Sequence, residues 1–200
     1  EVTGVNSQKH EITFAHPLNF DLKTEDGARC DILRPQGRLR MKGFVLTVKD
    51  EKGDVRRQQP LVLSSLKDAR IEDITVLGKD AFRVGFSLGR CMNCVFRKLY
   101  FDLPRYAVTM GNSRNMKFED VECYNARHAI VPGGWSDGVF VDNLSGDNNS
   151  GIMDAHPSFN VHYNHVRAEG ERGMSNLRSV GGSIRNSVFI SKSDSQRGPL

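Results

Sequence analysis

The chain repeats itself with a period of twenty-two residues between positions 84 and 188. Five tripeptides begin twenty-two residues apart, and each has Gly or Ala in second place and a large apolar residue in third. They are Val84-Gly85-Phe86, Tyr106-Ala107-Val108, His128-Ala129-Ile130, Ser150-Gly151-Ile152 and Arg172-Gly173-Met174. Self-similarity at a fixed period of this length indicates a solenoid, because each repeat buries its apolar face only against its neighbours.

A second set of positions recurs in step with the first. Asn, Asp or Gly returns once per repeat, and an aromatic residue follows three places later. The polar set is Asn93, Asn115, Asp137, Asn160 and Gly182, and the aromatic set is Phe96, Phe118, Phe140 and Tyr163. The spacing slips by one residue after His156 and recovers before Arg172. We expect the aromatic set to stack inside the solenoid and the polar set to mark a turn, where Asn tolerates left-handed backbone.

Short β-type runs fill each repeat, as in residues 94–99 and 116–121, and Gly, Asn, Asp or Pro separates them. No repeat contains ten residues with apolar spacing of three and four, which argues against helical repeats. The pattern predicts an all-β fold, a parallel β-helix with about 22 residues per coil. Residues one period apart then lie in neighbouring coils, about 4.8 Å apart.

The repeat over residues 66–190, with its Gly151-Ile152 pair and its Ser-x-Asn-x-x-Phe run at residues 113–118, resembles the pectin-lyase-like family of right-handed parallel β-helices. This family includes polysaccharide lyases and epimerases, and phage tailspikes share its fold. The resemblance therefore implies a right-handed helix, a carbohydrate ligand and a location outside the cell, at the cell surface or on a virion. Tailspike relatives are trimers, so a homotrimer is compatible with the resemblance, although the sequence itself carries no trimer signal.

Three segments are expected along the chain. Residues 1–65 are interpreted as irregular first coils or a cap with a protruding hairpin, because a charged turn separates β-type runs within residues 43–63. Residues 66–190 form the regular coils, and residues 191–200 form a polar tail or continue into a part not included in the sequence. The start at Glu1, without Met, suggests a processed chain or a piece of a larger protein.

Composition narrows the class of ligand. The formal net charge is +4 with a pI near 9.0, and both signs are interspersed along the chain. Such a mild excess does not indicate nucleic acid, but it suits an anionic ligand, so an acidic polysaccharide is the expected partner. No apolar run is long enough to cross a membrane. Cys91 and Cys94 have no His at zinc spacing. We therefore expect neither a metal site nor a cofactor; a calcium ion is compatible with the sequence, but nothing indicates one.

Two positions depart from the repeat. Asp154 and Asn176 stand in a column of the twenty-two-residue repeat that otherwise holds apolar residues. The other members are Leu88, Met110 and Pro132. A carboxylate in an apolar place costs free energy unless it is paired, and such departures are expected at functional sites. His156 follows two residues later, in a column with Arg90, Asn112, Gly134 and Arg178. We predict that Asp154 and His156 are catalytic and that Arg178, one coil further, binds substrate.

Four more residues are predicted to bind substrate. The column of Tyr106, His128 and Arg172 flanks the predicted catalytic residues, and Trp135 lies on a turn one coil before His156. Aromatic rings stack on sugars, and Arg pairs bidentately with uronate carboxylates. Each polar residue also has a simpler interpretation, in which Asp154 caps a turn and His156 is an ordinary surface residue before Pro157.

Residues 151–156 resemble the Tyr-Gly-Phe-Asp-Pro-His motif of mannuronan C5-epimerases, which share the β-helix fold and act on an acidic polysaccharide. The matching residues are Gly151, Asp154 and His156. Ser150 stands where that family has its catalytic Tyr, and Arg172 stands where it has a further Asp. The resemblance implies chemistry at a uronate and leaves the acid of the epimerase reaction unassigned.

Three functions remain open at this point. The first is a lyase or epimerase that removes the proton next to a uronate carboxylate, with His156 as base and an arginine neutralising the carboxylate. The second is a non-catalytic glycan-binding or structural β-helix of a tailspike or surface fibre. The third is a tailspike-type glycoside hydrolase, which needs two carboxylates; Asp137 is the nearest partner for Asp154. Convergence of Asp154, His156 and Arg178 in an open groove would favour the first.

Overall fold

The computed structural model describes residues 2–6, 8, 11–14, 37–47, 59–78, 84–103, 105–149, 151–170 and 177–192. The chain divides into two compact units, Glu1–Leu33 and Arg34–Leu200. The first unit contains an antiparallel pair of strands, β1 (Val2–Asn6) and β2 (Glu11–Phe14).

The second unit is a parallel β-helix. Its strands in chain order are β3 (Arg40–Thr47), β4 (Leu61–Ser64), β5 (Arg70–Leu77), β6 (Val84–Gly89), β7 (Val95–Asp102), β8 (Tyr106–Gly111), β9 (Arg114–Tyr124), β10 (His128–Gly133), β11 (Asp137–Asn149), β12 (Ala155–Gly170), β13 (Leu177–Arg185) and β14 (Val188–Ser191). β4, β6, β8 and β10 form one parallel sheet, here the short sheet, and the remaining eight form the long sheet. The predicted all-β solenoid of about 22 residues per coil is confirmed, and it makes about five turns.

Left-handed residues turn the chain at the corners between sheets. Asn93, Asn115 and Asn160 all have φ near +50°. Their side chains also bond from coil to coil: the Asn115 amide donates to Asn93 at 3.1 Å, and the Asn160 amide donates to Asp137 at 2.8 Å. Asn is suited to these places because its short polar side chain tolerates this backbone and bonds to its neighbour. The predicted turn is thus present at the three Asn residues. The prediction was wrong for Asp137 and Gly182, because Gly138 and Gly181, with φ of +67° and +69°, take the left-handed places in those coils.

Buried aromatic residues fill the inside of the coils. Phe96, Phe118 and Tyr163 are fully buried, as expected, and the rings of Phe96 and Phe118 stack with centroids 4.8 Å apart. The expectation was wrong for Phe140, which is 45% exposed and stacks outside on His162. Val141 takes the inward place instead, paired with Phe118 below and Tyr163 above.

One extra residue in the fourth coil, the coil that contains β10 and β11, explains why Phe140 lies outside. Gly133 pairs with Gly111, twenty-two residues earlier, but Asp137 pairs with Arg114, twenty-three earlier. The additional residue lies in the turn at Gly134 and Trp135, both of which have positive φ. The slip therefore occurs before His156 and not after it. Because strand side chains alternate, a shift of one residue turns Phe140 outward and Val141 inward.

The turn of the hairpin predicted within residues 43–63 lies outside the described residues, which contain β3 and β4 on either side of it. β3 pairs in parallel with β5, and β4 pairs in parallel with β6, so the two strands belong to different sheets and are not each other's partners. Apolar residues on both strands, such as Leu46 and Leu63, pack against the core of the following coils. Parallel stacking therefore begins before residue 66. The charged turn at residues 49–54 and the tail after residue 192 lie outside the described residues.

Replacing Phe118 by Ala should lower the free energy of unfolding by about 3–5 kcal/mol, because the ring is fully buried between two coils. The matched control is Phe140→Ala, which removes the same atoms from an exposed place and should change stability by about 0.5 kcal/mol or less. Urea unfolding followed by circular dichroism measures both. Equal losses in the two variants would contradict the register described above.

Candidate functional site

A cleft of about 500 Å³ lies on the outer face of the short sheet. Its walls come from three successive coils, and the turn after β10 closes one end. The lining residues are Tyr106, Thr109, Met110, Val131, Gly133, Gly134, Trp135, His156 and Pro157. This surface combines aromatic rings with one imidazole, as ligand pockets commonly combine apolar walls with a few polar groups.

The extra residue of the fourth coil builds the end wall of the cleft. The hydroxyl and the amide of Ser136 both donate to the Gly133 carbonyl, at 2.7 and 3.0 Å, and so hold the turn tight. The turn leaves Trp135 60% exposed, with its ring stacked on Phe159 at 6.1 Å between centroids. Trp135 therefore presents a supported aromatic surface to the cleft.

The same extra residue changes the columns predicted for Asp154 and His156. Ile130 pairs with Met153, twenty-three residues later, so Asp154 lies above Val131 and not above Pro132. His156 lies above Gly133 and not above Gly134: a Cβ added at Gly133 would come within 3.2 Å of the His156 Cβ. Asp154 still replaces an apolar residue, but in the column of Val131.

Asp154 is the centre of a charged cluster at the rim of the cleft. It is only 7% exposed. Its Oδ2 lies 3.2 Å from His156 Nε2 and 3.6 Å from His128 Nε2, and its Oδ1 lies 3.5 Å from Arg178 Nη2. Burial of a carboxylate is tolerated when cationic or donor groups surround it. Burial of Tyr163 raises the pKa of its hydroxyl, and the negative charge of Asp154 raises it further. This hydroxyl donates to the Ile130 carbonyl at 3.0 Å.

Arg178 and Asp154 both contact the imidazole of His156. Arg178 Nη2 lies 3.1 Å from His156 Nδ1 and 3.4 Å from His156 Nε2, and Asp154 Oδ2 lies 3.2 Å from Nε2. A guanidinium can only donate and a carboxylate can only accept, so the tautomer with its hydrogen on Nε2 and its lone pair on Nδ1 suits both partners. In that tautomer Asp154 orients the ring and Arg178 bonds to Nδ1.

His128 is held differently. Its Nδ1 lies 2.5 Å from the Gly151 carbonyl, which can only accept, so Nδ1 carries the hydrogen and Nε2 faces Asp154. Its ring stacks on Tyr106 with centroids 5.6 Å apart. Burial lowers the pKa of His128 and has the largest effect on it. The hydrogen bond to Gly151 and the charge of Asp154 raise this pKa but do not offset the burial. His128 is therefore a buried neutral imidazole beneath the site.

The predicted site residues are thus largely brought together. Tyr106, Trp135 and His156 line the cleft, while Asp154 and Arg178 contact His156. His128, predicted to bind substrate, is 8% exposed and instead contacts Asp154 and Tyr106. Arg172 lies outside the described residues. The roles of these residues stay predictions.

Arg127 was missed by the sequence analysis. Its guanidinium carbon lies 6.0 Å from the centre of the Tyr106 ring, and its side chain is exposed. The signal was present, because Arg83, Arg105 and Arg127 recur at intervals of twenty-two residues. Thr109, Val131 and Gly133 also line the cleft but carry no pattern that distinguishes them from ordinary strand residues.

Two further features concern metals and membranes. Within the described ranges, no group of three or more His, Cys, Asp or Glu side chains is arranged to hold a metal ion. The same part of the chain contains no helix with the length and hydrophobicity needed to cross a bilayer.

Lowering the pH from about 7.5 to about 5.5 should destabilise the protein through His128, because the ordinary imidazole pKa is about 6.5. The pKa of His128 is lowered in the folded state, so the unfolded chain binds the proton first and stability falls with pH below that value. His128→Gln can still donate to Gly151 but does not titrate. On acidification, the melting temperature of the wild type should therefore fall by more than that of the variant. A constant difference would contradict the buried neutral imidazole.

Comparison with known proteins adds no relative: no family model, no curated protein and no solved structure matches the chain. The parallel β-helix is compatible with the pectin-lyase-like fold, but no match identifies the specific family. Arguments about function consequently rest on the cleft and its charged cluster.

Proposed function

We propose that the cleft binds an acidic polysaccharide and that His156 removes the proton next to a uronate carboxylate, as in a lyase or epimerase. The observation that carries the proposal is the convergence of three side chains at the cleft: His156 contacts Asp154 at 3.2 Å and Arg178 at 3.1 Å. A polymer of this kind would place the protein outside the cell, at a cell surface or on a virion.

Arg178 would recognise the uronate carboxylate. Its side chain is 52% exposed and holds Asp154 only at 3.5 Å, so it can turn towards a ligand. A guanidinium matches a carboxylate with two parallel hydrogen bonds, which are stronger than the single bond to a neutral imidazole. Binding the substrate would therefore draw Arg178 away from His156 and release the lone pair on Nδ1.

His156 would then act as the base. Nδ1 would be freed when Arg178 leaves it, while Nε2–H stays on Asp154, which stabilises the imidazolium formed after proton transfer. The carbanion develops charge on the uronate carboxylate, where Arg178 is already bound. The same arginine thus assists binding and the charge-separated transition state.

The fate of the carbanion separates the two reactions. In a lyase the electron pair forms a carbon–carbon double bond and the glycosidic oxygen leaves with a proton. In an epimerase a proton returns to the opposite face of the same carbon. Tyr106 lines the cleft and is the candidate acid for either step. Both reactions share the proton abstraction, and that common step is what we propose.

The glycoside hydrolase alternative is less well supported. Hydrolases need two carboxyl groups about 5–9.5 Å apart. Asp154 is the only carboxylate among the described residues that line the cleft or contact His156. Asp137, the partner considered from the sequence, instead pairs with Arg114 at 3.6 Å and accepts a hydrogen bond from Asn160.

A non-catalytic glycan-binding β-helix is the second candidate, and one observation favours it. Both nitrogens of His156 are engaged by Arg178 and Asp154, so the three side chains form a ladder between coils like the Asn ladder at the corner. In that case Arg178 would still bind an anionic glycan, but no proton would be removed. Binding and turnover must therefore be measured separately.

Arg178→Gln should weaken binding of an anionic polysaccharide about tenfold or more, because a hydrogen-bonded ion pair is lost. Calorimetry with polygalacturonate and alginate, and with neutral dextran for comparison, measures this. Binding by the wild type should also weaken as salt is added. The matched control is Arg167→Gln, which removes the same charge from an exposed pair with Glu169 and should bind normally. Equal, salt-independent binding of dextran would contradict the proposal.

His156→Ala should abolish exchange of the proton next to the uronate carboxylate while binding is retained, since a base acts in the transition state. NMR in D₂O detects this step for both reactions, because an epimerase exchanges the proton for deuterium and a lyase loses it as the double bond forms. Asp154→Asn should slow exchange, because the amide cannot stabilise the imidazolium to the same extent. Polymer bound by the wild type with neither exchange nor loss of this proton would leave the non-catalytic binding function.

A further inference from the structure

The corners between the short and the long sheet carry a ladder of hydrogen bonds from backbone amides to side chains. The Cys91 amide donates to the Ser113 hydroxyl at 3.1 Å, and the Ser113 amide donates to the Ser136 hydroxyl at 3.2 Å. Each coil thus offers a side chain that accepts the amide of the coil before it. Continued by one coil, the ladder would have the Ser136 amide donate to the Ser158 hydroxyl.

The ladder is interrupted at Ser158. The Ser136 amide donates instead to the Gly133 carbonyl, at 3.0 Å. The Ser158 side chain is 2% exposed, and its hydroxyl has no hydrogen-bond partner among the described residues. A buried hydroxyl without a partner costs free energy, so its presence next to a diverted amide requires a physical reason.

The backbone on either side of the missing bond keeps its register. The Trp135 amide donates to the Pro157 carbonyl at 3.0 Å, and the Phe159 amide donates to the Ser136 carbonyl at 2.8 Å. Ser158 therefore lies one coil beyond Ser136 in the same column. Only the direction of one peptide N–H separates the observed turn from a complete ladder.

The turn that diverts the Ser136 amide is strained. Its bond to Gly133 closes a β-turn in which the central residues, Gly134 and Trp135, have φ of +52° and +65°. Gly adopts this backbone freely, whereas a bulky residue such as Trp adopts it at a cost. Moving the Ser136 amide to Ser158 would give up one hydrogen bond and make another, and it would free Trp135 from positive φ. The Ser136 hydroxyl, 2.7 Å from the Gly133 carbonyl, would keep its acceptor.

We infer that residues 133–136 form a two-position gate at the end of the cleft. In the observed position the Ser136 amide bonds to Gly133, and Trp135 forms the end wall. In the second position this amide bonds to Ser158, and Trp135 withdraws from the wall. The number of hydrogen bonds is the same in both, so they differ little in free energy, and a ligand that stacks on Trp135 selects the observed one. The inference does not depend on the proposed function.

Relaxation-dispersion NMR on the ligand-free protein tests the gate, because it detects exchange between two positions on the microsecond-to-millisecond timescale. The wild type should show exchange at the Ser136 amide and at the indole N–H of Trp135, the only Trp in the chain. Ser158→Ala removes the second acceptor and should abolish exchange at both. Ser158→Cys keeps a weak acceptor and should retain it.

Ser113→Ala is the matched control, since it removes a hydroxyl from the same column at a place where that hydroxyl has partners. The Cys91 amide then loses its acceptor, so the melting temperature should fall by about 3 °C or more, while exchange at Ser136 stays. Ser158→Ala breaks no hydrogen bond among the described residues. It should therefore leave the melting temperature within about 1 °C of the wild type.

Three results would overturn the inference. The first is a wild type without exchange at Ser136, because the Ser158 hydroxyl would then be satisfied in place, as by a buried water molecule. The second is exchange that persists in Ser158→Ala, and the third is exchange that is lost equally in Ser113→Ala. All of these measurements are made without polysaccharide, so the gate can fail while the proposed function stands, and the reverse.

Discussion

Parallel hydrogen bonding from coil to coil is the constraint on which the rest of the structure depends. Each strand of the β-helix pairs with a strand one turn away, so the length of each turn decides which side chains become neighbours. One added residue at Gly134–Trp135 therefore changes the positions of side chains in its own coil and in the next one. It projects Trp135 into the cleft, turns Phe140 outward, and moves His156 above the bare backbone of Gly133, where the imidazole has room.

The charged cluster depends on that register as well. Asp154, His156 and Arg178 come from two coils, and His128 comes from the coil before them. A buried carboxylate is stable only with such partners. Stacking brings His128 and Arg178 to Asp154, whereas His156 is its neighbour along the chain. Removal of Arg178 from His156 by an anion would leave Asp154 in contact with His156 and His128.

The fold could be predicted well from the sequence because the period of the repeat equals the number of residues in one coil. Phe96, Phe118 and Tyr163 were placed inside correctly, and Arg178 was placed beside His156 because these two lie on the same side of the added residue. The position of the added residue could not be predicted from the sequence, because an insertion at any of several nearby positions shifts the later columns by the same one residue. A strand followed by a charged turn has the same sequence pattern in a hairpin and in a long coil, so the parallel pairing of β3 with β5 could not be predicted either.

The free structure also has a consequence for selectivity. Arg178 donates to the very nitrogen of His156 that would accept the substrate proton, at 3.1 Å. A neutral sugar in the cleft offers the guanidinium no stronger partner, so the lone pair stays occupied and no base is available. A uronate does offer one, because a carboxylate pairs with a guanidinium more strongly than an imidazole does. Discrimination would then operate twice, in binding and again in the release of the base. The requirement for an acidic sugar would thus be built into the hydrogen bonds of the cluster itself.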